Sequence, residues 1–305
     1  MATRFELILH GPNPVSLRAA GEAALDEIDR LEAQLSLYRP SSEIAHVNAR
    51  AAQEAVRVTP AVFSLLEHAR RLNQETKGAF DITIAPLVRC WGFMNGTGRT
   101  PSPVEIEQAR SVVGMHLVQL NSEDSTVRFL RAGVMLDLGA IGKGYAIDQA
   151  VEILREAGIT SALLHGGTST VYGLGHPADA KHWSVAIENP FDPGEPWTLV
   201  NLKDESLSVS ATRGRSFEVD GKIFGHVIDS RTGAPVSGAD LAAVILPSAT
   251  ETDALSTGLL TLGLEGASLI PELRPGMRAL VVARKDKQLC AEGRGIDLPE
   301  SWNKR

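Results

Sequence analysis

The segment Asp137-Leu138-Gly139-Ala140-Ile141-Gly142-Lys143-Gly144-Tyr145-Ala146-Ile147-Asp148 constrains this chain more than any other. An extended run, Gly133 to Leu138, leads into a glycine-rich turn. A helix is expected from about Lys143 to Ala157, with Ala146, Ile147, Ala150, Val151 and Leu154 on one face and Gly158 past its end. The first amides of a helix lack intrahelical partners, and beside a lysine they form an anion site. Small residues let backbone come close to a pyrophosphate. The spacing is not a Walker A loop, because the glycines are too close and Lys143 is followed by Gly144; nor is it a dinucleotide GxGxxG. The plain alternative is a tight strand-to-helix turn carrying a surface lysine.

Three further segments carry residues suited to chemistry. In Thr252-Asp253-Ala254-Leu255-Ser256-Thr257, Asp253 and Thr257 are four apart, so a helix brings both oxygens to one side, where they suit a hard cation such as magnesium. Alternatively, Thr252 or Asp253 caps the helix and Thr257 packs internally. In Gly225-His226-Val227-Ile228-Asp229-Ser230-Arg231-Thr232-Gly233, a strand delivers His226 and a turn follows. His226 is either a general base near neutral pH or a hydrogen-bonded structural residue. In Gly78-Ala79-Phe80-Asp81-Ile82-Thr83 through Trp91-Gly92-Phe93, the aromatics either stack on a ligand ring or form plain core.

Elsewhere the pattern mixes helices and strands. Phe5 to Leu9 reads as a strand, and Leu17 to Leu35 as an amphipathic helix with Leu17, Ala20, Ala24, Leu25, Ile28, Leu31 and Leu35 inward. Thr59-Pro60 opens another helix that runs to about Glu75. Short strands are expected near His116 to Leu120, Thr126 to Leu130 and Ser161 to Leu164. The second half adds His182 to Glu188, Trp197 to Leu202, Leu207 to Ser210, Ser216 to Val219, Ile223 to Ile228 and Leu241 to Leu246. Asp220-Gly221 is a hairpin signal. Helices near Thr252 to Leu262 and Glu265 to Leu273 precede strands near Ala279 to Ala283 and Gln288 to Ala291. Without strict alternation of strand and helix, this is an α+β pattern of mixed antiparallel sheets and packed helices, and not a doubly wound sheet. With no clear linker, residues 1–305 are expected to form a single domain.

Composition narrows function by exclusion. A formal charge of -7 lacks the basic surplus of a general nucleic-acid binder. Cys90 and Cys290 match no zinc-ligand spacing and read as two buried thiols. No stretch approaches about 18 consecutive apolar residues, so no transmembrane segment is expected. The N-terminus lacks a secretory signal, which leaves a cytoplasmic chain or the mature, periplasmic part of something longer.

Taken in order, these segments resemble the ApbE family, the FAD:protein FMN transferases. The resemblance also draws on Met1-Ala2-Thr3, Leu35-Ser36-Leu37-Tyr38, Ser42-Glu43, Asn48, Gly166-Gly167 and Thr212-Arg213-Gly214, and so covers most of the chain. It implies a T-fold-like architecture. It also implies FAD contacts at Met1, Tyr38, Ala79, Phe80, Asp81, Asp137, Lys143 and Ile228. Magnesium would be held by the Ala140 carbonyl and the side chains of Asp253 and Thr257. His226, or a carboxylate such as Asp229, would act as base. The implied reaction moves FMN from FAD to a threonine or serine hydroxyl of an acceptor flavoprotein, a redox-complex subunit or reductase, and releases AMP. Flavin binding without transfer and hydrolysis of FAD to FMN and AMP are the alternatives. The chain departs from the family pattern at Thr168-Ser169, Arg213 and Ser230.

Overall fold

The strands expected at Phe5 to Leu9, Ser161 to Leu164, Leu207 to Ser210, Leu241 to Leu246, Ala279 to Ala283 and Gln288 to Ala291 pair into one large sheet in the computed structural model. It describes residues 3–96, 98–189, 191, 196–212, 214, 216–219, 221–285 and 288–298. Two compact units are formed: Met1–Leu31, Ile141–Ala211 and Gly238–Arg305 make unit 1, and Glu32–Ala140 and Thr212–Ser237 make unit 2. Unit 2 is therefore built from two insertions into the chain of unit 1.

Unit 1 is organised by a seven-stranded sheet. Its strands are β1 (Phe5–Leu9), β2 (Ala162–Gly166), β3 (Thr170–Leu174), β4 (Glu205–Ala211), β5 (Leu241–Leu246), β6 (Arg278–Lys285) and β7 (Gln288–Arg294). They lie side by side in chain order, every neighbour antiparallel. All six residues of β5 are buried, as a strand covered on both faces requires. Alternation sends Leu241, Ala243 and Ile245 to one face, where they join a core with Trp183, Ile187 and Leu202 of the hairpin Trp183–Glu188/Pro196–Leu202.

Three helices bear on the argument: α1 (Pro14–Leu35), α2 (Gly142–Glu156) and α3 (Ala249–Leu262). In α1 the expected inward face holds at Ala20, Ala24, Ile28, Leu31 and Leu35, whereas Leu25 is exposed. Helix α3 packs on β4, β5 and α2. By length and composition alone the run Ala249–Glu272 is apolar enough to cross a membrane, but 61% of its apolar window is buried inside the protein. Here it covers the sheet. The helix expected at Glu265 to Leu273 is a series of short turns, Gly263–Glu265, Gly266–Leu269 and Ile270–Glu272. Proline at 271 removes a helical donor within that run.

Unit 2 holds the helices Glu43–Arg50, Pro60–Glu75, Ala85–Cys90 and Pro103–Arg110, and a three-stranded antiparallel sheet in the order Val56–Arg57, Thr126–Phe129, Val118–Asn121. Thr59 stands at the N-cap of Pro60–Glu75 but makes no capping bond; its backbone N–H and hydroxyl both donate to Glu43. The hairpin Ser216–Val219/Lys222–Gly225 turns through two residues, and Gly221 has φ of 73°, the left-handed region such turns need. Asp220 lies outside the described residues. The strand expected over Ile223 to Ile228 is split, ending at Gly225 and resuming at Ile228–Asp229, which pairs with Ala234–Pro235.

One expectation fails instructively. Gly133 lies in a turn with φ of 95°, and Val134 to Leu138 join no sheet. The Asn48 side chain takes the place of a neighbouring strand: its Nδ2 donates to the Leu136 carbonyl at 2.9 Å and its Oδ1 accepts from the Leu136 amide at 2.7 Å. Asp137 N then donates to the Ile82 carbonyl at 2.7 Å. The backbone is satisfied singly, not by a ladder. Cys90 and Cys290 are free thiols, each half-buried.

Helices α2 and α3 are in close contact at Gly144. A Cβ there would lie 2.0 Å from the Ala249 carbonyl oxygen and 2.9 Å from the Asp253 Cβ. Gly144→Ala is therefore expected to destabilise the protein by about 3 kcal/mol, measured by chemical denaturation. A loss below about 1 kcal/mol would contradict this packing.

Candidate active site

In unit 1 the glycine-lysine segment and the Asp-x3-Thr helix meet. The turn ends at Ile141, and α2 begins at Gly142 without a side-chain cap of its own. The carboxylate that comes to this helix end is Asp253, on the second turn of α3. Its Oδ2 accepts from the Gly144 amide at 3.1 Å, and Lys143 Nζ donates to Oδ1 at 2.8 Å and to Oδ2 at 3.2 Å. Asp253 is 4% exposed, so the pair is shielded from bulk water. A buried charge of this kind requires both a counter-ion and hydrogen bonds, and Asp253 has both.

The alternative of a cap at Thr252 or Asp253 does not hold. Ser248 is the N-cap of α3, its hydroxyl accepting from the Glu251 amide at 3.3 Å. Thr257 is partly internal: its hydroxyl turns back to the Asp253 carbonyl at 3.2 Å and lies 3.3 Å from Ser210 Oγ. Both its oxygen and the Asp253 carboxylate belong to the same side of α3.

Sequence reasoning missed the floor beneath these residues. Strand β4 reads Ser206-Leu207-Ser208-Val209-Ser210, and alternation puts all three serines on the face toward α3. Ser208 Oγ lies 3.0 Å from Thr252 Oγ1 and donates to Thr170 Oγ1 at 3.1 Å, while Ser210 Oγ lies 2.9 Å from Ser256 Oγ. Thr252 Oγ1 donates to Ser206 Oγ at 3.1 Å, and Thr170 Oγ1 reaches Asp253 Oδ1 at 3.5 Å. A sheet-helix interface is ordinarily apolar; here it is a chain of buried hydroxyls that satisfy one another. The serine alternation opposite a helix bearing threonine, serine and aspartate was the available signal.

In unit 2 the Gly78 segment and the His-Asp turn are joined: Ser230 Oγ donates to the Gly78 carbonyl at 2.8 Å. Together they line a cavity of about 500 Å³ with Asp81, Asn73, His116 and Arg231. Asp81 accepts from the Thr83 amide at 2.8 Å and the Thr83 hydroxyl at 2.6 Å. Burial nevertheless pushes its carboxyl above the usual range, against those bonds, one from Asn73 and the charge of His116. Asp229 is buried and fully engaged: Arg231 Nε and N donate to Oδ1 at 2.9 Å, and Nη2 to Oδ2 at 2.8 Å. Phe80, Trp91 and Phe93 are buried, and Trp91 Nε1 donates to the Gly233 carbonyl at 2.8 Å, so the core alternative describes these aromatics. Tyr38 is 60% exposed, and Ile228 is buried. Asp137 closes a turn by accepting from the Gly139 amide at 2.8 Å, one residue before Ala140. His226 follows the strand end at Gly225; a Cβ on Gly214 would sit 3.6 Å from its Cε1. Met1 and Arg213 lie outside the described residues.

The residues of unit 1 suit a magnesium ion by their chemistry. Among the described residues no three His, Cys, Asp or Glu side chains cluster. Asp253 and Thr257 supply one carboxylate and one hydroxyl, and magnesium characteristically takes few protein oxygens and completes its shell with water and phosphate.

The ApbE family model matches residues 1–281. A FAD:protein FMN transferase of Treponema pallidum (strain Nichols) is 32% identical over 302 residues, covering 92% of this chain and 83% of its own. The ApbE protein of Thermotoga maritima superposes with a TM-score of 0.84 at 26% identity, covering 98% of each chain. The flavinyl transferase ApbE of Pseudomonas stutzeri gives 0.81 at 28% identity, covering 95% of this chain and 91% of that one. Fold and relatives together define a transferase of α+β architecture. The chain belongs to the ApbE family.

The Asp81 carboxyl makes a pH prediction. A carboxyl whose folded pKa is raised binds its proton more tightly in the folded state, so ionisation costs stability as pH rises past the unfolded value of about 3.9. Asp81→Asn is therefore expected to gain stability relative to the unsubstituted protein as pH rises from about 4 toward 7. Urea denaturation across that range tests it; a difference that stays flat or shrinks contradicts the assignment.

Proposed function

We propose that this protein is a magnesium-dependent FAD:protein FMN transferase acting on a threonine or serine of an acceptor flavoprotein. What supports the reading most directly is the Lys143–Asp253 pair, 2.8 Å apart at the start of α2, in a chain whose relatives are named FAD:protein FMN transferases. In unit 1, Lys143 and the first amides of α2 offer positive potential to a phosphate. Asp253 and Thr257, with the Ala140 carbonyl, would hold the magnesium ion, whose chemistry is to offset negative charge developing on the pyrophosphate oxygens. In unit 2, Tyr38, Ala79, Phe80, Asp81, Asp137 and Ile228 are the positions we assign to FAD.

The reaction joins the acceptor hydroxyl oxygen to the FMN phosphorus and breaks the bond from that phosphorus to the bridging oxygen. AMP leaves with the bridging oxygen, and the hydroxyl proton passes to a base. We assign that role to His226, because a weak alcohol nucleophile needs a base near neutral pH. Asp229, with both oxygens engaged by Arg231, holds the turn after it. These effects together are asked to lower the barrier by on the order of 10 kcal/mol.

Incubation with FAD, magnesium and an acceptor protein carrying the threonine should produce covalent flavin fluorescence on a denaturing gel. Asp253→Ala should reduce the rate by about 100-fold or more, the scale for losing an electrostatic group that acts on the transition state. No fluorescent band, or an Asp253→Ala protein as active as the unsubstituted one, would reject the proposal. Free FMN and AMP formed without acceptor would favour hydrolysis instead.

A further inference from the structure

Asp148 closes the glycine-lysine segment, and no part of the proposed reaction uses it. Its carboxylate accepts four hydrogen bonds from the first turn of α3. Ala249 N donates to Oδ1 at 2.8 Å; Ser248 Oγ, Thr250 N and Thr250 Oγ1 donate to Oδ2 at 2.9, 2.9 and 2.6 Å. Helix α3 already has Ser248 as its cap, so Asp148 supplies a second anchor from another helix.

The spacing gives this anchor a purpose. Gly144 and Asp148 are four apart on α2, and Ala249 and Asp253 are four apart on α3, so each pair lies on one helix face. Gly144 meets Asp253, and Asp148 meets Ala249. The contact thus has two points: Gly144 lies against both Ala249 and Asp253, and Asp148 against the start of α3. At the first, Asp253 lies against Lys143 and the Gly144 amide. At the other, Asp148 fixes where α3 starts and hence how far along α2 the Asp253 carboxylate stands. Gly144 removes any side chain that would hold the helices apart.

We infer that Asp148 is a positioning residue for the metal-binding carboxylate of Asp253, locking the start of α3 so that Asp253 and Lys143 stand in fixed register. The inference rests on the magnesium reading given above. It differs from a helix cap in what its loss should change. A cap contributes to stability alone; a register lock also sets the affinity for the cation. Groups that orient metal ligands from behind typically change affinity by 10–100-fold when removed.

The test is magnesium binding to the whole chain by isothermal titration calorimetry at saturating FAD, paired with thermal melts of the ligand-free protein. Asp148→Asn is expected to weaken magnesium about tenfold or more at a temperature well below its melting point. Thr250→Val, which removes the shortest of the four bonds and leaves the carboxylate, is expected to weaken it about threefold. A lower melting temperature with unchanged magnesium affinity would make Asp148 a cap only and overturn the inference, as would no change in either quantity. Should Asp148→Asn fail to fold, Thr250→Val decides by the same criterion. An unsubstituted protein that binds no magnesium would instead overturn the metal reading, and this inference with it.

Discussion

The approach of α2 to α3 at Gly144 is the constraint from which the chemistry of unit 1 follows. Without a side chain at that position, the Asp253 carboxylate reaches the Gly144 amide and the Lys143 ammonium at once. Each partner stabilises the others: the helix N-terminus and the lysine compensate a buried carboxylate, which in turn holds the lysine in place. Lys143 and the Gly144 amide are thereby held in fixed positions around one carboxylate.

The hydroxyl floor of β4 extends the same logic. Packing α3 on an apolar β4 would have left Thr257 without its neighbour Ser210, while Asp253 takes its sheet neighbour, Thr170, from β3. Ser206, Ser208 and Ser210 instead meet Thr252, Ser256 and Thr257 with hydrogen bonds, on the strand face opposite Leu207 and Val209. One strand therefore serves two tasks by its period of two residues: an apolar face toward the hairpin core and a polar face beneath the candidate site.

Much of this was legible in the sequence because much of it is local. Alternation gave Phe5 to Leu9 and an apolar run gave Leu241 to Leu246, both with their observed bounds, and helical spacing gave α2 within a residue at each end. Four segments with residues suited to chemistry were singled out by residue type and spacing, and the mixture of elements gave the α+β class. What escaped was long-range. Gly133 to Leu138 has a strand's composition, yet Asn48, 88 residues from Leu136, takes the partner's place. The role of Asp148 depends on Thr250, 102 residues away, and no local pattern encodes that pairing. Nor does periodicity reveal that unit 2 interrupts a sheet whose strands otherwise follow one another in chain order.

The proposed function stands on transfer of FMN to a protein hydroxyl as AMP leaves. The most direct measurement is the molar balance of products, with nucleotides resolved by chromatography and the intact acceptor weighed by mass spectrometry. The account predicts AMP equimolar with flavin-bearing acceptor, the flavin mapping to a threonine or serine, and no free FMN. Free FMN equimolar with AMP beside an unmodified acceptor, or FAD left unconsumed, would contradict it.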